Sequence, residues 1–356
     1  MIPAEEFDKC QYTDSGCRTF DSNRRDFLRV VGGSALAALM ARSAMGAENQ
    51  PGGAPENTAK MMNSTLKPEL PRRCNKVVPP AGLDVWILAG QSNMDGIGLL
   101  SEALPPDERL YGALLERAKR AGGNLRGVLW YQGESGTGVA GAADTYGKCF
   151  ERWVKELRSD LGNPTLPLVE VQLGRCTRYE AENKNERGRQ WNLVRRAQYE
   201  LPDTVPHTGV TSAIDLGLAE VIHLSATAQI RLGKRMARCM LGMESNYSGP
   251  QVTGIEQIPS GAEFGIVRIK TKGVAKRWFP SDNILGFGPY TPSGDEHPVN
   301  HVFNVAPDRT DPTSLIVKTS LPIGKGDILG YGLGMNPSCN AVDQDDMTLC
   351  AFEWKF

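Results

Sequence analysis

Between Leu83 and Met243 the sequence alternates short apolar runs with longer amphipathic segments, and this alternation constrains the fold most strongly. The short runs are rich in β-branched and aromatic residues, which predicts buried strands. The longer segments carry apolar residues at three- and four-residue spacing, which predicts helices. Strands that alternate with helices form a parallel sheet with helices on both faces. We therefore predict an α/β fold with a doubly wound parallel sheet.

The predicted strands cover residues 84–89, 126–132, 168–173 and 208–214, and the predicted helices cover residues 107–121, 143–161, 189–201 and 225–243. After Gly249 the pattern changes to short runs at 264–270, 301–305, 314–319 and 327–332, separated by Pro, Gly and Asp. Such a pattern is typical of an antiparallel β-sandwich. We predict an α/β domain at 81–247 and an accessory β-sandwich domain at 248–356.

The N-terminal residues are typical of an export signal. Arg24-Arg25 is followed by Phe-Leu, an apolar run at 30–40 and small residues at 43–47, in the order of a twin-arginine signal. A membrane anchor is the alternative, but the apolar run is short, rich in Gly and Ala, and ends at Arg42. We predict a cleaved signal at 1–47, a linker at 48–80 and a periplasmic or extracellular protein without a stable membrane anchor.

Composition argues against several other functions. The chain has 40 Lys and Arg against 41 Asp and Glu, and its basic residues are not clustered among aromatic ones, so we expect no nucleic-acid partner. No two cysteines have the CxxC spacing of a zinc or redox site, and Pro298 excludes a helical metal pair at His297 and His301. We predict no metal and no cofactor. The pairing of the cysteines cannot be read from the sequence.

Three polar clusters follow predicted strands and carry the chemistry. They are Gly90-Gln-Ser-Asn-Met94, Trp130-Tyr-Gln-Gly-Glu134 and Glu220-Val-Ile-His223. Because parallel strands bring their carboxyl ends to one edge of the sheet, we expect Ser92, Gln132 and His223 to converge there. A serine nucleophile needs a general base such as His223, and that base needs a carboxylate to orient it. Glu220 is the first candidate for the carboxylate and Asp215 the second.

At these residues the sequence resembles the SGNH hydrolases, and more narrowly their sialate O-acetylesterase and acetylxylan esterase branch. The resemblance extends through Val171-Gln-Leu-Gly174, the segment 191–198, Tyr331-Gly-Leu-Gly334 and the segment 343–352. It implies a flavodoxin-like sheet and an exported serine esterase that removes O-acetyl groups from a carbohydrate such as sialic acid or a plant polysaccharide. The acetylated carbohydrate would be its partner.

The resemblance also implies a role for each site residue. Ser92 would attack the acetyl carbonyl, with His223 as base and then acid and Glu220 as the orienting carboxylate. The main-chain N–H of Ser92 and the side chain of Gln132 would stabilise the oxyanion. We expect Gln91 and Asn93 to line the same oxyanion and substrate site. Glu134 would either orient Gln132 or contact sugar hydroxyls.

Two departures from the family pattern bear on activity. The family usually has Asp three residues before the histidine, where this chain has Glu220. The family also has a second strand ending in a Gly-Gly-Thr-like turn that supplies an oxyanion N–H. Here the chain passes from Met94 through residues 97–106 into the helix predicted from Asp107, with no such strand or turn, and Gly122-Gly123 is typical of that helix's end.

The missing strand would lie at a sheet edge, so the central sheet could survive with strand 1 newly exposed. Loss of one oxyanion donor costs roughly 100- to 1000-fold in turnover. The alternative function is therefore a catalytically weakened or inactive carbohydrate-binding protein on the same scaffold.

Overall fold

The four strands predicted for the α/β region form one parallel sheet. The computed structural model describes residues 84–90, 110–122, 124–138, 141–177, 184–243, 247, 249–259 and 263–356. All of them belong to a single compact unit that spans Arg73–Phe356. A separate unit, Met1–Arg72, lies outside the described residues, and so does the predicted export signal.

The sheet has the order β1-β2-β3-β4. Its strands are β1 Asp84–Gly90, β2 Asn124–Tyr131, β3 Leu168–Gln172 and β4 Thr208–Ser212. The helices are α1 Leu110–Ala121, α2 Ala142–Asp160, α3 Lys184–Thr204 and α4 Ala226–Gly242. The mixed α/β class and the parallel sheet are confirmed. Helix α3 begins before its predicted start, because residues 184–188 are polar or Gly and give no apolar period.

Apolar residues alternate between the two faces of the sheet, as expected for buried strands. On one face Val128 and Trp130 of β2 pack against α2 and α3, and the Trp130 ring lies 4.2 Å from that of Trp153. On the other face Val169 and Val171 of β3 pack against α4. Helices therefore cover both faces of the sheet. The described strands run in the single order β1-β2-β3-β4, without the reversal that defines a doubly wound sheet, so the doubly wound, flavodoxin-like assignment stays a prediction.

Strand β1 is the exposed member of the sheet. Among the described residues it pairs with β2 alone, and the side chain of Leu88 is 47% exposed. An edge strand presents unpaired main-chain groups and is less buried than the central strands. By contrast, all five residues of β3 and of β4 are buried.

The C-terminal region consists of antiparallel strands, as predicted. A four-stranded sheet has the order β5-β6-β10-β9, a three-stranded sheet the order β13-β11-β8, and a pair joins β12 to β7. The strands are β5 Gln251–Gln257, β6 Gly265–Lys272, β7 Trp278–Phe279, β8 Phe287–Tyr290, β9 Val302–Pro307, β10 Leu315–Thr319, β11 Ile328–Tyr331, β12 Val342–Asp343 and β13 Phe352–Lys355. One apolar core draws Val267 and Val317 from the first sheet and Leu329 and Phe352 from the second. The finer β-sandwich assignment and the domain boundaries stay predictions.

Buried polar side chains tie the antiparallel region to the ends of the parallel strands. Gln172, the last residue of β3, donates to the Ala351 carbonyl at 2.9 Å and accepts from the Ala351 N–H at 2.7 Å. Arg195 of α3 donates to the carbonyls of Leu173 and Gly174 after β3 and to those of Gly332 and Gly334 after β11. Burial lowers the pKa of the Arg195 guanidinium to about 10. The carboxyl edge of the sheet is therefore fixed from both regions.

None of the helices in the described part of the chain combines the length and the apolar character needed to cross a membrane.

Candidate active site

The serine block begins where β1 meets β2 most closely. Gly90 is the last residue of β1, pairs with Tyr131, and has a φ of 141°. A Cβ at Gly90 would collide with the Tyr131 carbonyl oxygen, so only glycine fits this conformation. Gln91, Ser92 and Asn93 follow directly and lie outside the described residues. The segment 97–103, in which a substitute oxyanion N–H would have to be found, lies outside them too.

The second block forms a tight turn at the end of β2. Gly133 has a φ of 148°, and a Cβ there would lie 2.9 Å from Val194 Cγ1 and 3.1 Å from Gln198 Nε2. The preceding carbonyl, that of Gln132, accepts from Gln198 Nε2 at 2.9 Å and lies 3.0 Å from the Tyr146 hydroxyl. These contacts fix the main chain of the turn against α2 and α3.

The side chain of Gln132 is buried, yet its Oε1 has no hydrogen-bond partner in the part of the chain that the structure describes. A buried amide oxygen without a hydrogen-bond partner lowers the stability of the fold unless another group donates a hydrogen bond to it. Gln132 therefore has hydrogen-bonding capacity left for a group that these residues do not supply.

Glu134 interacts with Tyr131 and not, among the described residues, with Gln132. Its carboxylate faces the Tyr131 hydroxyl and the main-chain N–H groups of Gly133 and Glu134. Burial raises the pKa of the Glu134 carboxyl, while the positive charge of His223 and these hydrogen bonds lower it. The sequence left two roles open for Glu134. The first, direct orientation of Gln132, has no supporting contact among the described residues.

His223 lies on a short loop that folds back on itself after β4. Ala219 N–H donates to the His223 carbonyl at 2.8 Å, and Ser225 N–H donates to the Gly217 carbonyl at 3.0 Å. Ser225 then caps α4 by accepting from the Ala228 N–H. This closed loop brings the side chains of Glu220 and His223 to the same side.

The imidazole and the carboxylate of this loop form a direct pair. His223 Nδ1 lies 2.5 Å from Glu220 Oε1, with the histidine side chain 27% and the glutamate side chain 64% exposed. A carboxylate on Nδ1 fixes the tautomer and leaves Nε2 for a second partner. The loop is attached to the end of β3, because Thr177 N–H donates to the Val221 carbonyl at 2.8 Å.

Asp215, the second candidate carboxylate, is engaged elsewhere. It forms a two-pronged ion pair with the buried Arg235, at 2.6 and 2.8 Å, and Arg231 approaches it at 3.4 Å. Arg235 also contacts Asp346 and the Ser212 carbonyl. The carboxylate that contacts His223 is Glu220.

Sequence reasoning missed the side chains beneath the second block: Tyr146, Glu170 and Gln198. Glu170 could have been found from the sequence, because it is a charged residue inside the apolar run Leu168-Val-Glu-Val-Gln172, and such residues are rarely buried without a partner. In the described ranges no three His, Cys, Asp or Glu side chains converge as metal ligands.

Comparison with known proteins agrees with the geometry. Residues 101–242 match the family "Carbohydrate esterase, sialic acid-specific acetylesterase". Gln132, Glu134, Glu220 and His223 lie inside the matched range, whereas Ser92 lies outside it.

Two relatives extend the comparison. A probable carbohydrate esterase of Arabidopsis thaliana is 32% identical over 127 residues, which cover 35% of this chain and 44% of that protein. The crystal structure of a carbohydrate acetylesterase from Xanthomonas citri matches with a TM-score of 0.52 and 23% identity, over 71% of this chain and 54% of that one. The second match supports the fold alone. The chain thus spans about half the length of these relatives.

The turn at Gly133 should not tolerate a side chain. We expect Gly133→Ala to lower the free energy of unfolding by more than about 1 kcal/mol, because the new Cβ meets Val194 and Gln198 and the φ is positive. Denaturant unfolding measures the loss. Gly136→Ala is the control in the same turn, since its Cβ would make only an ordinary 3.8 Å contact. Equal stability of the two variants would contradict the assigned turn geometry.

Proposed function

Because residues 101–242 match a carbohydrate esterase family, we propose that the protein is a serine esterase that removes O-acetyl groups from a carbohydrate. The observation that carries the proposal is the Glu220–His223 pair at the carboxyl edge of the sheet, beside the turn of Gln132 and Glu134. A histidine oriented in this way is the usual base for a serine nucleophile.

Chain connectivity supports Ser92 as that nucleophile. Gly90 pairs with Tyr131, the residue before Gln132. Because consecutive Cα atoms are about 3.8 Å apart, the Ser92 Cα lies within about 7.6 Å of the Gly90 Cα. The serine is therefore tethered to the sheet edge at which Gln132 and Glu134 are found.

The proposed reaction has two halves. His223 Nε2 takes the proton of the Ser92 hydroxyl as the Ser92 oxygen attacks the acetyl carbonyl, and Glu220 stabilises the imidazolium that forms. The tetrahedral oxyanion accepts hydrogen bonds from the Ser92 N–H and the Gln132 amide, with Gln91 and Asn93 lining the same site. The C–O bond to the sugar breaks, and the sugar oxygen takes the proton from His223. Water, deprotonated by His223, then attacks the acyl carbon. The bond from that carbon to the Ser92 oxygen breaks, acetate leaves, and the Ser92 oxygen takes the proton back from His223.

A cleft beside the segment that follows β3 supports a substrate larger than an acetyl group. It has a volume of about 890 Å³, and its lining includes Cys176, Asn192, Arg196, Tyr290, Asn336 and Glu353. Its lining includes none of the described site residues Gln132, Glu134, Glu220 and His223. It is connected to the site through Cys176, because the next residue, Thr177, donates its N–H to the Val221 carbonyl of the His223 loop. Its size and its mixture of aromatic and polar groups suit the sugar chain of an acetylated oligosaccharide.

Export is part of the proposal. The paired arginines and the apolar run within residues 1–47 support a twin-arginine signal and a periplasmic or extracellular location.

The first prediction concerns the nucleophile. We expect the purified protein to hydrolyse p-nitrophenyl acetate and Ser92→Ala to lose this activity, because no other residue would form the acyl-enzyme. Release of nitrophenol is followed by absorbance. If wild type and Ser92→Ala hydrolyse the ester equally, the esterase proposal is wrong. Binding to insoluble polysaccharide without ester hydrolysis would favour the alternative, a carbohydrate-binding protein on an esterase scaffold.

The second prediction separates the two carboxylates. Glu220→Gln should lower kcat about 100-fold or more, because the neutral amide no longer stabilises the imidazolium. Asp215→Asn should keep kcat within about threefold. It should lower the free energy of unfolding by about 3 kcal/mol, because the buried positive charge of Arg235 loses the negative charge of its partner. Steady-state kinetics and denaturant unfolding are measured on both variants. The reverse pattern would move the orienting role to Asp215.

The third prediction concerns the cleft. Arg196→Ala and Asn336→Ala should lower kcat/KM about tenfold on acetylated xylohexaose or mannohexaose, as for a lost hydrogen bond in the cleft. Hydrolysis of p-nitrophenyl acetate should stay unchanged, because both side chains are exposed and their contacts are with Glu353 and Arg175, outside the His223 loop. If the oligosaccharides are hydrolysed and neither variant changes the ratio of the two activities, the cleft does not hold the sugar chain.

A further inference from the structure

A carboxyl group is buried beneath the proposed active site. Glu170 lies at the centre of β3, is fully inaccessible to solvent, and has Trp130 of β2 and Val210 of β4 as its cross-strand neighbours. The polar groups that face it are the Tyr146 hydroxyl from α2 and the Gln198 amide from α3. No described Lys, Arg or His side chain compensates a negative charge here. An uncompensated buried carboxylate is very costly, and such groups stay neutral instead.

The hydroxyl group of Tyr146 lies close to three polar groups but has only one hydrogen to donate. Its hydroxyl oxygen lies 3.0 Å from the Gln132 carbonyl and 2.9 Å from Glu170 Oε1, and Gln198 Nε2 approaches it at 3.3 Å. The hydroxyl has one hydrogen, which it can donate either to the Gln132 carbonyl or to Glu170 Oε1. When the Gln132 carbonyl receives that hydrogen, none is left for Glu170. The contact with Glu170 is then a hydrogen bond only if the carboxyl group itself carries a proton and donates it.

We propose that Glu170 is a protonated positioning residue that directs the Tyr146 hydroxyl onto the Gln132 carbonyl and thereby holds the turn of Gln132, Gly133 and Glu134. In this arrangement Glu170 donates to Tyr146, Tyr146 donates to Gln132, and Gln198 donates the second hydrogen bond to the same carbonyl.

Ionisation of Glu170 would reverse the first donor. The carboxylate would accept the Tyr146 hydrogen, and the Gln132 carbonyl would keep only its bond from Gln198. Glu170 Oε2, which has no partner among the described residues, would also become a buried, unpaired charge. The effect on catalysis rests on the proposed esterase function, because it acts through Gln132, but the assignment of the proton does not.

The pH dependence of folding stability shows directly whether Glu170 carries a proton in the folded protein. Burial raises the pKa of Glu170 from 4.5 to about 8. The stability contributed by the neutral form is therefore complete below pH 4.5 and is lost as the pH rises through about 8. Glu170→Gln stays neutral and can still donate to Tyr146. We expect the melting temperature of Glu170→Gln relative to wild type to rise between pH 5 and pH 9 and then to level off.

The matched control is Glu200→Gln, an exposed glutamate on α3, for which the difference from wild type should not depend on pH over this range. If the difference between Glu170→Gln and wild type is also independent of pH, Glu170 is not held neutral by the fold and the proposal is wrong.

Infrared spectroscopy of the native protein gives a second readout that needs no substrate. The difference spectrum of wild type minus Glu170→Gln at pH 6 should contain the C=O stretch of a protonated carboxyl, and the band should be absent at pH 10. If Glu170→Gln does not fold, Tyr146→Phe should shift the same band, since it removes the acceptor of the carboxyl proton. A carboxylate band at pH 6 would overturn the proposal.

Activity tests the positioning role. With p-nitrophenyl acetate, and after subtraction of spontaneous hydrolysis, Glu170→Gln should keep kcat at pH 7 within about threefold and extend activity to higher pH than wild type. Tyr146→Phe should lower kcat at every pH with little change in KM. If Glu170→Gln shows the same alkaline loss as wild type, Glu170 does not position the turn. A protein that passes the stability and infrared tests but hydrolyses no ester would contradict only the proposed function.

Discussion

The buried ion pair between Asp215 and Arg235 connects the parts of this structure on which the site depends. Arg235 projects from α4, is fully buried, and contacts the end of β4 at Ser212, the Asp215 carboxylate and the 343–346 segment at Asp346. A buried charge that loses its partner costs several kcal/mol, so these groups fix one another. The His223 loop begins directly after Asp215 and ends at the cap of α4. The pair therefore anchors the start of the loop, while bonds within the loop and from Thr177 to Val221 hold the part that carries Glu220 and His223.

Because Asp215 is paired with Arg235, Glu220 is the carboxylate that is available to His223. Asp215 is inaccessible and held by two arginines, whereas Glu220 is exposed on the loop and lies 2.5 Å from His223 Nδ1. A longer glutamate stem in place of the aspartate that the family usually has can thus serve the same purpose, because the loop brings the two side chains together. Glu134, at the end of β2, also lies near His223, whose charge lowers the pKa of a carboxyl that burial raises.

Much of the fold could be predicted from the sequence, because hydrophobic period reports burial directly. The strands β1 to β4 and the four helices follow from apolar spacing. That Glu134 and His223 lie close enough to interact follows from the rule that parallel strands end at one edge. Short strands such as β7 and β12, which contain two residues each, have no period to detect. The contacts of Arg195 and Arg235 also escaped prediction, because a buried arginine is recognised only by carbonyls and carboxylates that are distant in the sequence.

The central claim is that His223, oriented by Glu220, activates Ser92. A fluorophosphonate that reacts only with activated serines tests this most directly, since it needs no knowledge of the sugar. The account predicts one adduct per wild-type chain, located by peptide mass spectrometry on Ser92, and a labelling rate that falls at least 100-fold in His223→Ala. An adduct on another serine, or equal labelling of Ser92 in wild type and His223→Ala, would contradict it.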